Sequence, residues 1–412
     1  MSDWLLTVQG TGGGEHAHAL ERWRETGSTI WAVAAILGAR GAELDAPALL
    51  ALADRARPQD SAARLTLAYH AIRLAMERGD AAGARARLER ALGPGGPALT
   101  RSDRNLFLAE RALVGQTLAD FLRDAIKTPA GTTWDESGDE LPATAEGEPP
   151  SGDYARACFD RTSAETLNRD LPLVRLREAV LDPALPAHLS RDLALSTWTR
   201  AVLLDDRVTA RAVAPVLARL APELVRRLDA WRHASGSGES RFAAVDLLLH
   251  APGAQALVSA GIGRTQTAPI ASTDPFRNNW WCTLPPERGE WNGWAGSGYT
   301  HEVDWPAGAL RDSLRPAFLT AEDRRAAEAE RARLVALDVA PNWLCRETLA
   351  WAVAHRDDPR VPEALHLAVR STRYGCADRE TGGWSKQAFQ LLHRRYPKSE
   401  WAKKTRYWFG QN

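Results

Sequence analysis

The densest group of residues with binding chemistry is a set of five tryptophans within residues 261–316, separated by Gly, Asn and Pro: Trp280, Trp281, Trp291, Trp294 and Trp305. An exposed indole offers a flat apolar face and one N–H donor, so it suits stacking on a sugar ring or burial in a partner's pocket. Trp280 and Trp281 equally suit a structural role, as anchors that hold this segment on a helical core. The sequence leaves open an anchor, a protein-binding surface and a glycan-binding surface.

A second group combines thiols and imidazoles in the last part of the chain: Cys345, His355, His366, Cys376 and His393. Cys and His side chains bind zinc or form a thiolate-imidazole pair, but both chemistries need the side chains to converge in space. None of the four cysteines of the chain belongs to a CxxC pair. Helix capping by His366 and apolar packing by the cysteines are the competing structural interpretation. No cofactor is predicted.

The remaining motifs are better explained by local structure than by catalysis. His16 and His18 follow a triple glycine, but no GK[ST] follows it, so a phosphate loop is excluded. His301 precedes a glutamate without the second histidine that a zincin helix requires. The adjacent carboxylates of Asp205 and Asp206 suit a helix start. These patterns favour binding over turnover.

Composition limits the class of partner. The 412 residues contain 52 Lys and Arg and 52 Asp and Glu, so no net charge favours nucleic acid. The longest apolar run, Ile30–Leu37, is too short to span a bilayer, and the first residues do not resemble a secretory signal. We therefore expect a soluble protein, cytoplasmic as the sequence stands or extracytoplasmic if a leader has been removed. The redox state of the cysteines stays open.

The elements that must position these groups are predicted to be helices, because Ala, Leu and Arg recur at helical spacing through most of the chain. The clearest example is a hairpin over Ser61–Leu92 with a turn at Arg78-Gly79-Asp80. The predicted organisation is N-terminal helical hairpins at 15–127, an acidic Pro/Gly linker or loop at 128–153, central helical repeats at 154–260, the Trp-rich irregular insert at 261–316 and C-terminal helices at 317–412. The predicted fold class is all-α.

The last helices resemble a known family. In Asp358–Phe409, PEAL is followed by a turn and then by KQAFQLLHRRYPKSEWAKKT. This order is similar to tetratricopeptide repeats of bacterial envelope-type proteins, in which a helix ends in Tyr-Pro-x-Ser before an Ala-rich helix; the matching residues are Tyr396, Pro397, Ser399, Trp401 and Ala402. The resemblance implies an array of helix hairpins, a superhelix with a concave surface that binds protein partners.

The sequence thus favours a noncatalytic scaffold that binds a protein or peptide partner through its concave face and the Trp-rich insert. Two alternatives remain: a glycan-processing or other enzyme on a helical scaffold, and an accessory protein that binds metal through Cys345, His366, Cys376 and His393. The identity of the partner and the oligomeric state are not predicted.

Overall fold

The computed structural model describes residues 2–10, 14–55, 61–94, 96–134, 140–143, 156–261, 269–274, 279–282 and 316–410. These residues are mostly helical, with nineteen α-helices and four short strands among them. This confirms the all-α prediction. The described chain divides into two compact units.

Unit 1 comprises the described residues up to Ala130 together with 316–319. Its elements are α1 (Ser2–Gln9), α2 (Glu15–Thr26), α3 (Thr29–Gly38), α4 (Ala46–Arg55), α5 (Ser61–Glu77), α6 (Ala81–Leu92), α7 (Arg101–Leu113), α8 (Leu118–Ala125) and the two-residue strand β1 (Ile126–Lys127). The predicted hairpin is present as the packed pair α5 and α6. Gly79 adopts φ +75° in the turn, and the Asp80 carboxylate accepts a hydrogen bond from the Gly83 N–H at 2.8 Å, which caps α6.

Unit 2 contains the other described residues. Its elements are β2 (Gly131–Trp134), β3 (Glu140–Ala143), β4 (Cys158–Phe159), α9 (Arg161–Arg169), α10 (Leu173–Val180), α11 (Ala187–Leu203), α12 (Arg207–Leu220), a 3₁₀ turn (Pro222–Leu224), α13 (Val225–His233), α14 (Gly236–Leu249), α15 (Ala321–Val335), α16 (Ala340–Ala354), α17 (Val361–Tyr374), α18 (Thr381–Arg395) and α19 (Glu400–Lys404). Strands β2 and β3 pair antiparallel, with Gly131 opposite Ala143. The segment predicted as an acidic linker therefore holds a short β-hairpin.

Consecutive helices of unit 2 pack on one another: α11 on α12, α13 on α14, α16 on α17, and α17 on α18. The largest fully buried side chains of this unit are Trp198 and Trp343, followed by Arg200, Phe159 and Phe242. Helix α14 also packs on α16 and α17, so the central and C-terminal helices share one core. Within the described residues, no helix has both the length and the apolar character needed to cross a membrane.

Two ion pairs join helix α15 to α10 and α11. Arg200 of α11 is 1% exposed and donates to the Glu330 carboxylate at 3.0 Å. The same carboxylate accepts from the backbone N–H of Leu173 at the start of α10. A second ion pair joins Arg175 to Asp323, which also belongs to the capping box at the start of α15. The helix begins at Ala321, within the segment 317–412 that the sequence predicts to be helical.

The C-terminal helices follow the local pattern on which the family resemblance rests. Helix α18 ends at Arg395, just before Tyr396, and the Ser399 hydroxyl accepts from the Ala402 N–H at 3.1 Å to cap α19. Ala402 is buried, and the Tyr396 hydroxyl donates to the Arg356 carbonyl oxygen at 2.7 Å. The tetratricopeptide assignment itself stays a prediction.

Candidate functional site

A cleft of about 220 Å³ in unit 2 combines aromatic and charged walls. It lies where the turn between α11 and α12 meets the first turn of α14 and the start of α16. Its principal lining side chains are Asp205, Arg207, Trp231, Ser237, Arg241 and Trp343. Pockets for drug-sized ligands generally occupy about 300–1,000 Å³, so this cleft suits a group no larger than one or two side chains.

Arg241 is the fixed cation of the cleft. Its guanidinium donates to both carboxylate oxygens of Glu347, at 2.6 and 3.2 Å, and to Asp205 at 2.9 Å. The hydrogen bond to Glu347 is the largest cause of a raised pKa for Arg241, so the group stays charged. The guanidinium also lies 5.4 Å from the centroid of the Trp343 ring, within cation–π range. Arg241 is therefore oriented before any ligand arrives.

The aromatic walls are held from behind by other aromatic rings. Trp231 is 5% exposed and packs edge-on against Trp198, with ring centroids 5.4 Å apart. Trp343 is 1% exposed and packs edge-on against Trp281 at 5.7 Å. Such edge-to-face pairs fix ring orientation and add stability beyond area burial. Each wall of the cleft is thus supported by a second ring, and a ligand would meet apolar ring edges.

The mouth of the cleft is formed by polar residues at two helix starts. Asp205 adopts φ +58°, a left-handed conformation that Asp tolerates better than most residues, and its side chain is 71% exposed. Asp206 caps α12 by accepting from the Thr209 N–H at 3.0 Å. Ser237 is exposed in the first turn of α14. A bound group could therefore place an apolar part against the tryptophans and a polar part at the mouth.

The structure places two of the five predicted tryptophans in the interior. Trp280 is 5% exposed, and its indole N–H donates to the Leu248 carbonyl oxygen at 2.7 Å. Trp281 is 7% exposed and donates to the Asp338 carbonyl oxygen at 3.2 Å. Their positions match the anchor role, because the indoles are enclosed and their N–H groups are satisfied within the chain. Trp291, Trp294 and Trp305 lie outside the described residues.

The predicted Cys and His residues are not brought together as a reactive centre. Cys345 is fully buried with its Sγ 3.4 Å from the Ala368 carbonyl oxygen, and burial raises the pKa of its thiol. A thiol in such an environment is inert as a nucleophile. Among the described residues, no group of three or more His, Cys, Asp and Glu is placed to hold a metal ion.

Two of the three histidines of this group, His366 and His393, contact the same residue, Thr405. His366 Nδ1 lies 2.7 Å from the Thr405 hydroxyl, and His393 Nε2 lies 2.7 Å from the Thr405 carbonyl oxygen. Because that hydroxyl donates to the Trp401 carbonyl oxygen, the proton between it and His366 belongs to Nδ1. Burial, with Arg370 and Lys404 nearby, lowers the pKa of His366 to about 4. Both imidazoles therefore fix the chain after α19.

Cys376 forms a disulfide with Cys282, a pairing that the sequence left open. The two Cα atoms lie 5.4 Å apart, an ordinary separation for a disulfide. Next to it, the Asn279 side chain donates to the carbonyl oxygens of Asp274 and Tyr374, at 3.0 and 2.7 Å. In this state the Cys376 sulfur is neither a thiolate nor a metal ligand. The disulfide and Asn279 attach the segment that carries Trp280 to the end of α17.

Sequence reasoning did not identify Arg241 or Trp343 as site residues. They come together through tertiary packing, since Arg241 and its partner Glu347 are separated by 106 positions. Two sequence features could have pointed to this place. The Gly- and Ser-rich SGSG of residues 235–238 lies at the start of α14, and the Asp205-Asp206 pair precedes α12. Both mark helix starts, and those two helix starts form the mouth of the cleft.

Comparisons with protein family models, with curated proteins and with solved structures find no match to this chain.

Proposed function

We propose that this chain is a noncatalytic helical-repeat scaffold that binds a protein or peptide partner and uses the cleft beside Arg241 as the anchor point. The observation that carries the proposal is the cleft itself: two buried tryptophans and an oriented arginine enclose a space of about 220 Å³. Interface hot spots concentrate in preformed, desolvated pockets of this kind, where Trp and Arg are enriched. A space of this size fits one anchoring side chain of a partner.

The packing of consecutive helices in unit 2 supports a repeat architecture. So does the resemblance of residues 358–409 to tetratricopeptide repeats. In such arrays neighbouring repeats bury a shared core and leave a continuous binding surface. We include in the proposal a tetratricopeptide-like superhelix whose concave face contributes to partner binding.

Binding is favoured over turnover by the environments of the groups best suited to catalysis. The Cys345 thiol is buried and its pKa is raised, and the Cys376 sulfur is bonded to Cys282. In the cleft, Arg241 is held by two carboxylates, which neutralises a charge that a substrate anion would need. These contacts support a recognition role.

The test is selection of peptides from a random phage-displayed library on the intact chain, followed by binding of the enriched peptide to two variants. Ser237→Trp adds a large side chain at the cleft mouth, at an exposed position where folding should survive. Arg219→Trp places the same large side chain at an exposed position of α12 away from the lining. We expect Ser237→Trp to weaken binding at least about tenfold, a loss of about 1.4 kcal/mol, and Arg219→Trp to leave it unchanged. Failure to enrich any peptide, or equal binding by both variants, would overturn the proposal.

A further inference from the structure

Positive charge is concentrated near the end of a chain whose overall charge is zero. Residues 370–406 contain ten Lys and Arg and three Asp and Glu, a formal charge of +7 within a protein that has 52 of each sign. Of the three carboxylates, Glu400 pairs with Lys404 at 2.8 Å and Asp378 accepts from the Asn342 side chain. The neutral total that argued against an anionic partner therefore conceals a local basic region.

Several of these cations are held against aromatic rings. The Arg373 guanidinium lies 5.2 Å from the Tyr374 ring and 5.3 Å from the Phe409 ring, and Arg370 lies 5.6 Å from Tyr374. The Lys386 ammonium lies 5.6 Å from the Trp408 ring. These contacts place α17, α18 and the chain after α19 at one surface.

Aromatic rings are exposed on the same surface. Tyr407 is 55% exposed and Trp408 is 40% exposed, high values for side chains of this size. The segment is positioned by the Phe409 N–H, which donates to the Ser385 hydroxyl at 3.1 Å, and by contact of Trp408 with Phe389 at 5.2 Å. We call Arg370, Arg373, Lys386, Tyr407 and Trp408 the aromatic-basic surface.

The cations of this surface are free to meet an external anion. Arg370, Arg373 and Lys386 are exposed, and none of them forms an ion pair with another described residue. An arginine or lysine over a ring keeps its N–H donors directed outward while the ring limits its motion. The surface therefore offers oriented donors beside amphipathic rings.

We propose that the aromatic-basic surface binds the headgroup region of a bilayer that contains anionic phospholipid. Trp and Tyr are enriched at the depth of lipid headgroups, and Lys and Arg beside them are attracted to anionic lipid. Single-stranded nucleic acid fits less well, because bases stack on open ring faces, whereas cations lie over the Trp408 ring and over the neighbouring Phe409 ring, which leaves Tyr407 as the one open ring of this surface. This attachment uses no residue of the cleft, so it goes beyond the proposed peptide binding.

The test is co-sedimentation of the intact chain with phosphatidylcholine vesicles, with and without phosphatidylglycerol. We expect binding only to the anionic vesicles, weakened by salt because exposed charges are screened. The variant Arg370→Glu/Arg373→Glu/Lys386→Glu should bind about a hundredfold more weakly or worse, because each substitution removes a cation that attracts anionic lipid and adds a repelling carboxylate. The neutral variant Arg370→Gln/Arg373→Gln/Lys386→Gln should lose binding too, and circular dichroism checks that both fold.

Matched controls separate this surface from general charge. Arg211→Glu/Arg219→Glu/Arg226→Glu makes the same charge change at exposed positions of α12 and α13, and we expect it to retain most binding. Trp408→Ser should weaken binding without changing net charge. Equal loss in the control triple, binding to neutral vesicles, or no vesicle binding would overturn the proposal. So would preferential binding of oligothymidylate or a polyglutamate peptide by the same three cations.

Discussion

Removing Glu330 should destabilise unit 2 more than removing an exposed carboxylate, because it leaves a buried cation without its counter-charge. Arg200 is 1% exposed, and its hydrogen-bond acceptors are the Glu330 carboxylate and the Asn168 carbonyl oxygen, at 3.0 and 3.1 Å. Breaking a buried ion pair by truncating one partner costs about 3–5 kcal/mol. Glu330→Ala also leaves the Leu173 N–H without its acceptor.

The two pKa shifts indicate what the pair contributes. Burial raises the pKa of Glu330 although Arg200 and the Leu173 N–H act to lower it, and burial lowers the pKa of Arg200 although Glu330 acts to raise it. In both groups desolvation outweighs attraction. We therefore expect the double variant Arg200→Met/Glu330→Leu to regain most of the stability that Glu330→Ala loses, because apolar replacements of buried ion pairs are often tolerated, although the Leu173 N–H still lacks its acceptor.

The assay is amide hydrogen exchange by mass spectrometry in peptides from α11 and α15, which reports local opening without assuming a two-state transition. Glu330→Ala should accelerate exchange there by about a hundredfold or more. As a control, Glu400→Ala removes a pair whose side chains are 53% and 66% exposed, and should cost under about 1 kcal/mol. The reasoning is refuted if Glu330→Ala behaves like Glu400→Ala, or if the double variant is as unstable as the single one.

The disulfide and two shifted pKa values give three further predictions. Loss of the Cys282–Cys376 bond, which spans 94 positions, should lower the free energy of unfolding by about 4–5 kcal/mol in the chain-entropy model. Denaturant unfolding of Cys376→Ser beside the parent chain measures this loss. Alkylation of all four cysteines in the unreduced, unfolded chain would show that the disulfide is not formed. His366 has a pKa lowered to about 4, so its contribution to stability should be present above pH 6.5 and lost as pH falls towards 4; a His366→Gln chain should show a flatter stability profile there, and an NMR titration midpoint near 6.5 would contradict this. For Asp358, burial acts to raise the pKa, but hydrogen bonds from Arg360 and Trp351 outweigh it and lower the pKa to about 2. Its stabilising effect should be complete above pH 4 and lost as pH falls through 2, a dependence that Asp358→Asn should remove in acid denaturation and that an unchanged profile would disprove.

The helices were predictable because their signals are local. Spacing of apolar residues and the Gly79-Asp80 turn indicated the hairpin of α5 and α6, and α15 begins at Ala321 within the segment 317–412 predicted to be helical. The short β-hairpin of β2 and β3 was not predicted, because its segment is rich in Pro, Gly and acidic residues that disfavour strands. The pairing joins residues only 6 to 12 positions apart, Trp134 with Glu140 and Gly131 with Ala143, but the composition of the segment gave no signal of it.

The candidate site was much less predictable. The sequence identified Trp280 and Trp281 as candidate binding residues, but both side chains are buried in the core. There Trp281 packs against Trp343, which lines the cleft. Arg241 and Trp343 looked like ordinary helix residues, since only packing of α14 on α16 brings them together. Local basic charge around Lys386 was hidden by the neutral total of the chain.

The measurement that tests the central claim most directly is photocrosslinking of the selected peptide from the cleft mouth. Benzoylphenylalanine is placed at Ser237 and, in a second chain, at Arg219 as an exposed control. If the cleft is the anchor point, the peptide crosslinks from Ser237 and not from Arg219, and excess unlabelled peptide abolishes the crosslink. Equal crosslinking from both positions, or none from Ser237 under conditions where the peptide binds, would contradict a binding function for this cleft.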